Sequence, residues 1–285
     1  MKKIFFTFLI TILSFSTYGQ DKRTYESVVY FNDIASSEVP RFIELHKKFT
    51  DMSLISKNRK ITGEWLFRHW YGSGHTFVLY QQYETMADYH KDAEISSENI
   101  MGQIDAITGG FLIKSLNIEN NAKAEKEKEI LMEEWREYRA FSNGHTDEVR
   151  VVNEKTGFLT VDDVNFDVPF VMSVGSYNSS GSWSKLGNAF FDWRIKPQVD
   201  NGSSIAGGVS YHFMGSGQEI EVWQCYNSLV DFAKSASTQS QEESAIEARK
   251  TFWSLVEGSH EDQIYLHIGN VNLEKGIFDL AGENR

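Results

Sequence analysis

Hydrophobic and polar positions alternate, then shift to a helical period, in an order that occurs twice along the chain. The first half begins with "SVVYFNDI", a run rich in β-branched and aromatic residues that predicts a strand. An amphipathic segment follows, "VPRFIELHKKF", with Pro40 in its first turn, where a missing N–H costs nothing. Two more strand-like runs, "EWLFRHWYG" and "HTFVLYQQY", are joined across Gly72-Ser73-Gly74. Leu131, Trp135, Tyr138 and Phe141 then recur at spacings of three and four, the signature of a helix, before "DEVRVV" supplies a last strand. The second half repeats the series: "FVMSVGSY", "WSKLGNAFFDW", "GGVSYHFMG" and "EIEVWQCY" about Gly215-Ser216-Gly217, a helical Ala245, Ala248, Phe252, Leu255, and "QIYLHI". Gly144 and Gly258 are expected to stop the second helix of each half. Each half therefore reads β-α-β-β-α-β, the split βαβ or ferredoxin-like order.

The repetition extends to identity. Aligning His69–Lys91 with His212–Lys234, an offset of 143, matches His69, Gly72, Ser73, Gly74, Gln81, Tyr83, Asp88 and Lys91, eight of 23 positions. Around His145 and His260 the offset falls to 115, so the first half carries 28 extra residues, placed within about 94 to 123 and leading into the charged helix "AKAEKEKEILMEEWREY". That charge run reads as a solvated face. Strand follows strand across each Gly-Ser-Gly, so these glycines serve hairpins, which need positive φ, and not a phosphate cradle, which needs a helix N-terminus.

Two such units in one chain resemble the dimeric α/β-barrel superfamily in tandem-fused form, with antibiotic-biosynthesis-monooxygenase-like and NIPSNAP-like proteins as the nearest comparisons. The resemblance rests on element order and duplication over roughly 26 to 153 and 168 to 269. It implies an α+β protein in which two ferredoxin-like repeats, 20–160 with a helical insertion and 161–285, close a pseudo-dimeric barrel. Closure would set the second strand of each repeat beside the final strand of the other, bringing His69 to the strand of Tyr265 and His267, and His212 to that of Glu148 and Arg150. The Asn, Trp and His of haem-degrading members find no matching register here.

Composition narrows the setting. Lys2 and Lys3, the run "IFFTFLITILSF" and small residues at Thr17 and Gly19 form a secretory signal peptide over 1–19, with a mature chain expected to begin at Gln20 in the periplasm or outside the cell. The net charge of −12 argues against nucleic acid and anionic membrane as partners. With Cys225 the only cysteine, no intramolecular disulfide can form. Homo-oligomerisation is left open.

Chemistry is sparsely marked. No spacing suits a metal, no nucleophile elbow is present, and no cofactor is implied. Parity assigns Ile220, Val222, Phe77, Leu79 and Val149 to the helix-covered side, and Tyr80, Arg150, Glu221, Trp223, Tyr265 and His267 to the opposite face. With His69 and His212, those six form a candidate ligand-binding set, more polar than packing alone requires. Each of the two hairpin histidines has an alternative reading as a hydrogen-bonded strand residue. A polar or anionic ligand group is expected near Arg150. Three functions follow: a barrel that binds a small aromatic or apolar molecule, a cofactor-independent monooxygenase or isomerase with His69, His212 or His267 as base, or a structural protein with a filled barrel.

Overall fold

The computed structural model describes residues 22–72, 74–109, 118–162, 164–238 and 240–283; the expected signal peptide lies outside them. In chain order the first half holds β1 (Arg23–Phe31), α1 (Val39–Leu54), β2 (Ile61–Tyr71), β3 (Phe77–Tyr83), α2 (Met86–Gly109), α3 (Ile118–Ala140) and β4 (Thr146–Asn153). A short β5 (Leu159–Thr160) lies in the connector. The second half holds β6 (Val171–Ser179), α4 (Trp183–Phe190), a π-helical turn, α5 (Lys196–Asp200), β7 (Ala206–Gly215), β8 (Ile220–Tyr226), α6 (Leu229–Ser237), α7 (Glu243–Leu255), β9 (Val256–Asn272) and β10 (Ile277–Leu280).

Hydrogen bonding runs β9-β2-β3-β1-β4-β7-β8-β6 and returns to β9, an eight-stranded antiparallel barrel. Each half has the ferredoxin-like order final, first, third, second. The halves meet at two seams, β2 on β9 and β4 on β7, where His69 faces Tyr265 and Arg150 faces His212 across the strands. Closure of this kind leaves neither half with an open edge. At the two equivalent hairpins Gly72 (φ +127°), Gly74 (+110°), Gly215 (+93°) and Gly217 (+134°) adopt backbone that L side chains rarely enter. At Gly217 space also decides, because a Cβ would lie 2.0 Å from Glu148 Oε2.

Strand parity sorts the core. Phe77, Leu79, Leu66 and Phe31 pack outward under α1 with Phe42, and Val209, Ile220, Val222 and Tyr211 pack outward under α4 and α7 with Leu186 and Phe252. Glu26, Val28, Tyr80, Met172, Ala206, Cys225 and Tyr265 are buried on the opposite, interior side. The extra residues of the first half lengthen α2 and α3, which pack on α1 through Ile100, Ile104, Leu131, Leu45 and Phe49. Arg59 fastens α2 to the sheet: its Nε and Nη2 reach the two oxygens of buried Asp92 at 2.8 and 2.7 Å, a bidentate geometry that fixes orientation.

Two features depart from the sequence reading. Gly258 does not end a helix: α7 stops at Leu255, and β9 runs through Gly258 at φ +71° because Val256 and Glu257 already pair with β6. The strand β10 was not expected; it pairs with β9 and buries Phe278 against α1.

Candidate functional site

All eight barrel strands send alternate residues inward, and these divide the interior into three levels. At one end lies a slot walled by Trp65, Phe67, Phe170, Met172, Trp223 and Cys225. Phe158 and Phe166, from the connector between the halves, fold over it; the Phe158 ring lies 5.6 Å from that of Trp223. The slot is a cavity of about 40 Å³, so it is narrow in at least one direction. Ala206 lies on its wall, and Glu26, Gln82 and Tyr80 are its polar lining residues.

A belt of charged and hydroxyl groups crosses the middle. In register around the wall, Gln82 faces Glu26, Glu26 faces Arg150, and Ser210 faces Glu221. Arg150, 1% exposed, donates to Ser210 Oγ (2.7 Å), Glu148 Oε2 (3.0 Å) and the carbonyls of Ser210 (3.3 Å) and Gln218 (3.4 Å). Tyr30 donates to Glu148 Oε1 at 2.8 Å, and Tyr80 to Glu221 Oε1 at 3.2 Å. Three buried carboxyls thus share one guanidinium. Burial, reinforced by the charge of Glu221, pushes the Glu26 carboxyl up to about 8 against the pull of Arg150. Burial likewise raises Glu221 to about 7, with Arg150 opposing and Glu148 assisting. Such values follow from removing charge from water.

The other end is a wider polar mouth between the two hairpins, lined by Tyr30, His75, Glu148, Glu221, Glu261, Gln263, Tyr265 and Gln218. Tyr265 OH and His75 Nε2 share a hydrogen bond at 3.0 Å, and burial holds His75 down to about 4, so the ring is neutral at neutral pH.

The candidate set scatters over these levels. Trp223 and Tyr80 reach the slot, Arg150 and Glu221 form the belt, and Tyr265 lines the mouth. His267 is buried behind the slot wall, stacked on Phe170 at 4.2 Å; it lies near the backbone of Val168 and Gly269 without hydrogen bonds of good geometry, and burial lowers it to about 4. His69 stands at the rim, its ring 4.9 Å from His75 and bonded to the Tyr71 carbonyl at 2.9 Å. His212 joins neither cavity: β7 runs past the rim there, and the exposed ring turns back to the Gly215 carbonyl. The expectation of an anion at Arg150 is corrected too, since four hydrogen bonds and three neighbouring carboxyls already occupy that charge. Glu26, the aromatic caps and His75 were missed. Alternation in "YESVVYF" puts Glu26 on the face of Val28 and Tyr30 without saying which face is inside; no local pattern marks Phe158 or Phe166.

The same architecture recurs in solved structures. An anthrone oxidase-like protein is 12% identical, with 93% of this chain and 96% of that one covered and a TM-score of 0.50. A protein of Fusobacterium nucleatum subsp. nucleatum, assigned as a monooxygenase, is 5% identical over 89% of this chain and 95% of that one, with a TM-score of 0.53. The fold is that of the dimeric α/β-barrel proteins. In this dimeric α/β barrel both halves belong to one chain. No family model and no curated protein matches the sequence. No group of three or more His, Cys, Asp or Glu among the described residues is arranged to hold a metal, and no helix among them is long and apolar enough to cross a membrane.

Proposed function

We propose that this barrel binds a small, flat, largely aromatic molecule in the slot between Trp65, Phe67, Phe170 and Trp223. The observation that carries this reading is an aromatic-walled space inside a closed barrel that meets a buried carboxyl oxygen, Glu26 Oε2, with no partner. Mixed aromatic walls with few polar contacts are the usual make-up of small-molecule sites. A filled structural barrel is disfavoured by that unpartnered oxygen, because leaving a buried polar group unmet costs about 1–3 kcal/mol. Ala206→Leu places three more carbons in the slot and is the test: binding of aromatic probes, followed by quenching of Trp65 and Trp223 fluorescence, is lost while the thermal midpoint is kept. Undiminished binding in that variant overturns the reading. Export to the periplasm or beyond, with Gln20 as first residue, is part of the same proposal and rests on the N-terminal pattern.

A second reading, oxygenation or isomerisation without a cofactor, is favoured by Glu221. A carboxylate near 7, touching Tyr80 in the cavity, suits a general base at neutral pH. The solved structures with this fold described as anthrone oxidase-like and as a monooxygenase make the class worth assaying. Glu221 is preferred to the histidine bases His69, His212 and His267, since His267 is held at about 4, His212 points outside, and His69 sits at the rim on the Tyr71 carbonyl. Oxygen uptake with reduced polycyclic phenols, abolished by Glu221→Gln, supports this reading; uptake unchanged in that variant removes it.

A further inference from the structure

The slot contains a buried carboxyl with one oxygen free of any hydrogen bond. Arg59 grips Asp92, Arg150 grips Glu148, and Tyr80 holds Glu221, but Glu26, 6% exposed, keeps Oε2 without a partner on the wall of the aromatic slot. We propose that Glu26 is the polar recognition group of the slot, its carboxyl O–H donating a hydrogen bond to a carbonyl-type oxygen on a flat aromatic ligand. This rests on the aromatic-slot reading above and names the ligand class: aromatic ketones and related carbonyl compounds in preference to plain hydrocarbons or anions.

Three observations converge on a donor. Oε2 of Glu26 has no hydrogen-bond partner and Glu26 lines the slot, so this oxygen is the one open to a ligand. Burial weighs most against the charged form of Glu26; of the groups facing it, Gln82 and Tyr80 from β3, Arg150 and Glu148 from β4 and Glu221 from β8, two carboxyls add to that effect and one guanidinium opposes it. The raised value of about 8 agrees with this geometry. An acid kept neutral in an apolar site is a strong donor to a carbonyl or developing oxyanion. Once ionised, the same group has no proton to give and repels a carbonyl oxygen.

Calorimetric titration of the full chain with 1-indanone and with indane, at pH 6.5 and about pH 9, tests the assignment. The ketone is expected to bind up to about tenfold tighter than the hydrocarbon at the lower pH, the worth of one net hydrogen bond, and to lose that preference at the higher pH. Glu26→Gln, whose amide still donates, keeps the preference at both; Glu26→Leu shows none at either. A preference in wild type that ignores pH, or one that survives in Glu26→Leu, overturns the proposal. Equal binding of both probes overturns it while leaving the slot reading intact, and no binding of either removes both.

Discussion

Replacing Glu26 by Gln should change how folding stability responds to pH. In the unfolded chain the carboxyl titrates near 4.5, and in the fold near 8. The folded state keeps a proton over an interval in which the unfolded state has lost it. The raised value therefore contributes stability that is complete below the unfolded pKa and disappears as pH rises through the folded one. His46, His75 and His267 act in the opposite sense, since burial lowers them to about 3, 4 and 4 from 6.5; their contribution is present above 6.5 and lost as pH falls. The interval from pH 6.5 to about 9 separates the two effects. Across it Glu26 is expected to cost the wild type ~2 kcal/mol, from the roughly 1.5 pH units between 6.5 and the folded pKa at about 1.36 kcal/mol each. For a chain of this size that is a fall of roughly 4–8 °C in the thermal midpoint. Glu221 titrates in the same interval but is present in both proteins, so the informative quantity is the difference between wild type and Glu26→Gln. Chemical denaturation at closely spaced pH values supplies it. Parallel curves for the two proteins would refute the claim that Glu26 folds as a neutral acid.

Other outcomes follow from the belt, the hairpins and the N-terminus. Arg150→Met removes, at the β4–β7 seam, the guanidinium that faces Glu26, Glu148 and Glu221 and should cost about 3–5 kcal/mol, the range for breaking a buried pair; calorimetry showing an unchanged midpoint would contradict the role given to it. Gly217→Ala forces a Cβ against Glu148 at a positive φ, whereas Gly74→Ala meets open space and only the backbone penalty, so the first should destabilise more, the second by about 1–3 kcal/mol; equal losses would show that the contact is relieved by local movement. N-terminal sequencing of exported protein should begin at Gln20, and a start at Met1 would withdraw the export proposal.

Much of this architecture could be read before coordinates, for a physical reason. Strand parity and the duplicated hairpins are local signals, and avoidance of open edges constrains how two such halves can meet; hence Tyr80, Glu221, Trp223 and Tyr265 were placed on the interior face and His69 beside Tyr265. What failed depended on distance in the chain. Arg150 looked available for an anion because its four acceptors come from β4, β7 and the β7–β8 hairpin, which only the seam brings together. Glu26 escaped notice because "YESVVYF" carries polar and apolar residues on both faces, so alternation alone did not say which face was inside. Phe158 and Phe166 belong to a connector with no period, and their place over the slot follows from tertiary packing. His212 had the right parity but lies beyond the rim, where parity no longer means enclosure.

The central claim is that the aromatic slot is a binding site. Mass spectrometry of the natively purified chain, compared with Ala206→Leu purified in the same way, tests it most directly. The account predicts an aromatic carbonyl-bearing molecule released from the wild type on denaturation and missing from the variant. An aromatic molecule retained equally by both proteins, or bound elsewhere than between Trp65 and Trp223, would contradict it.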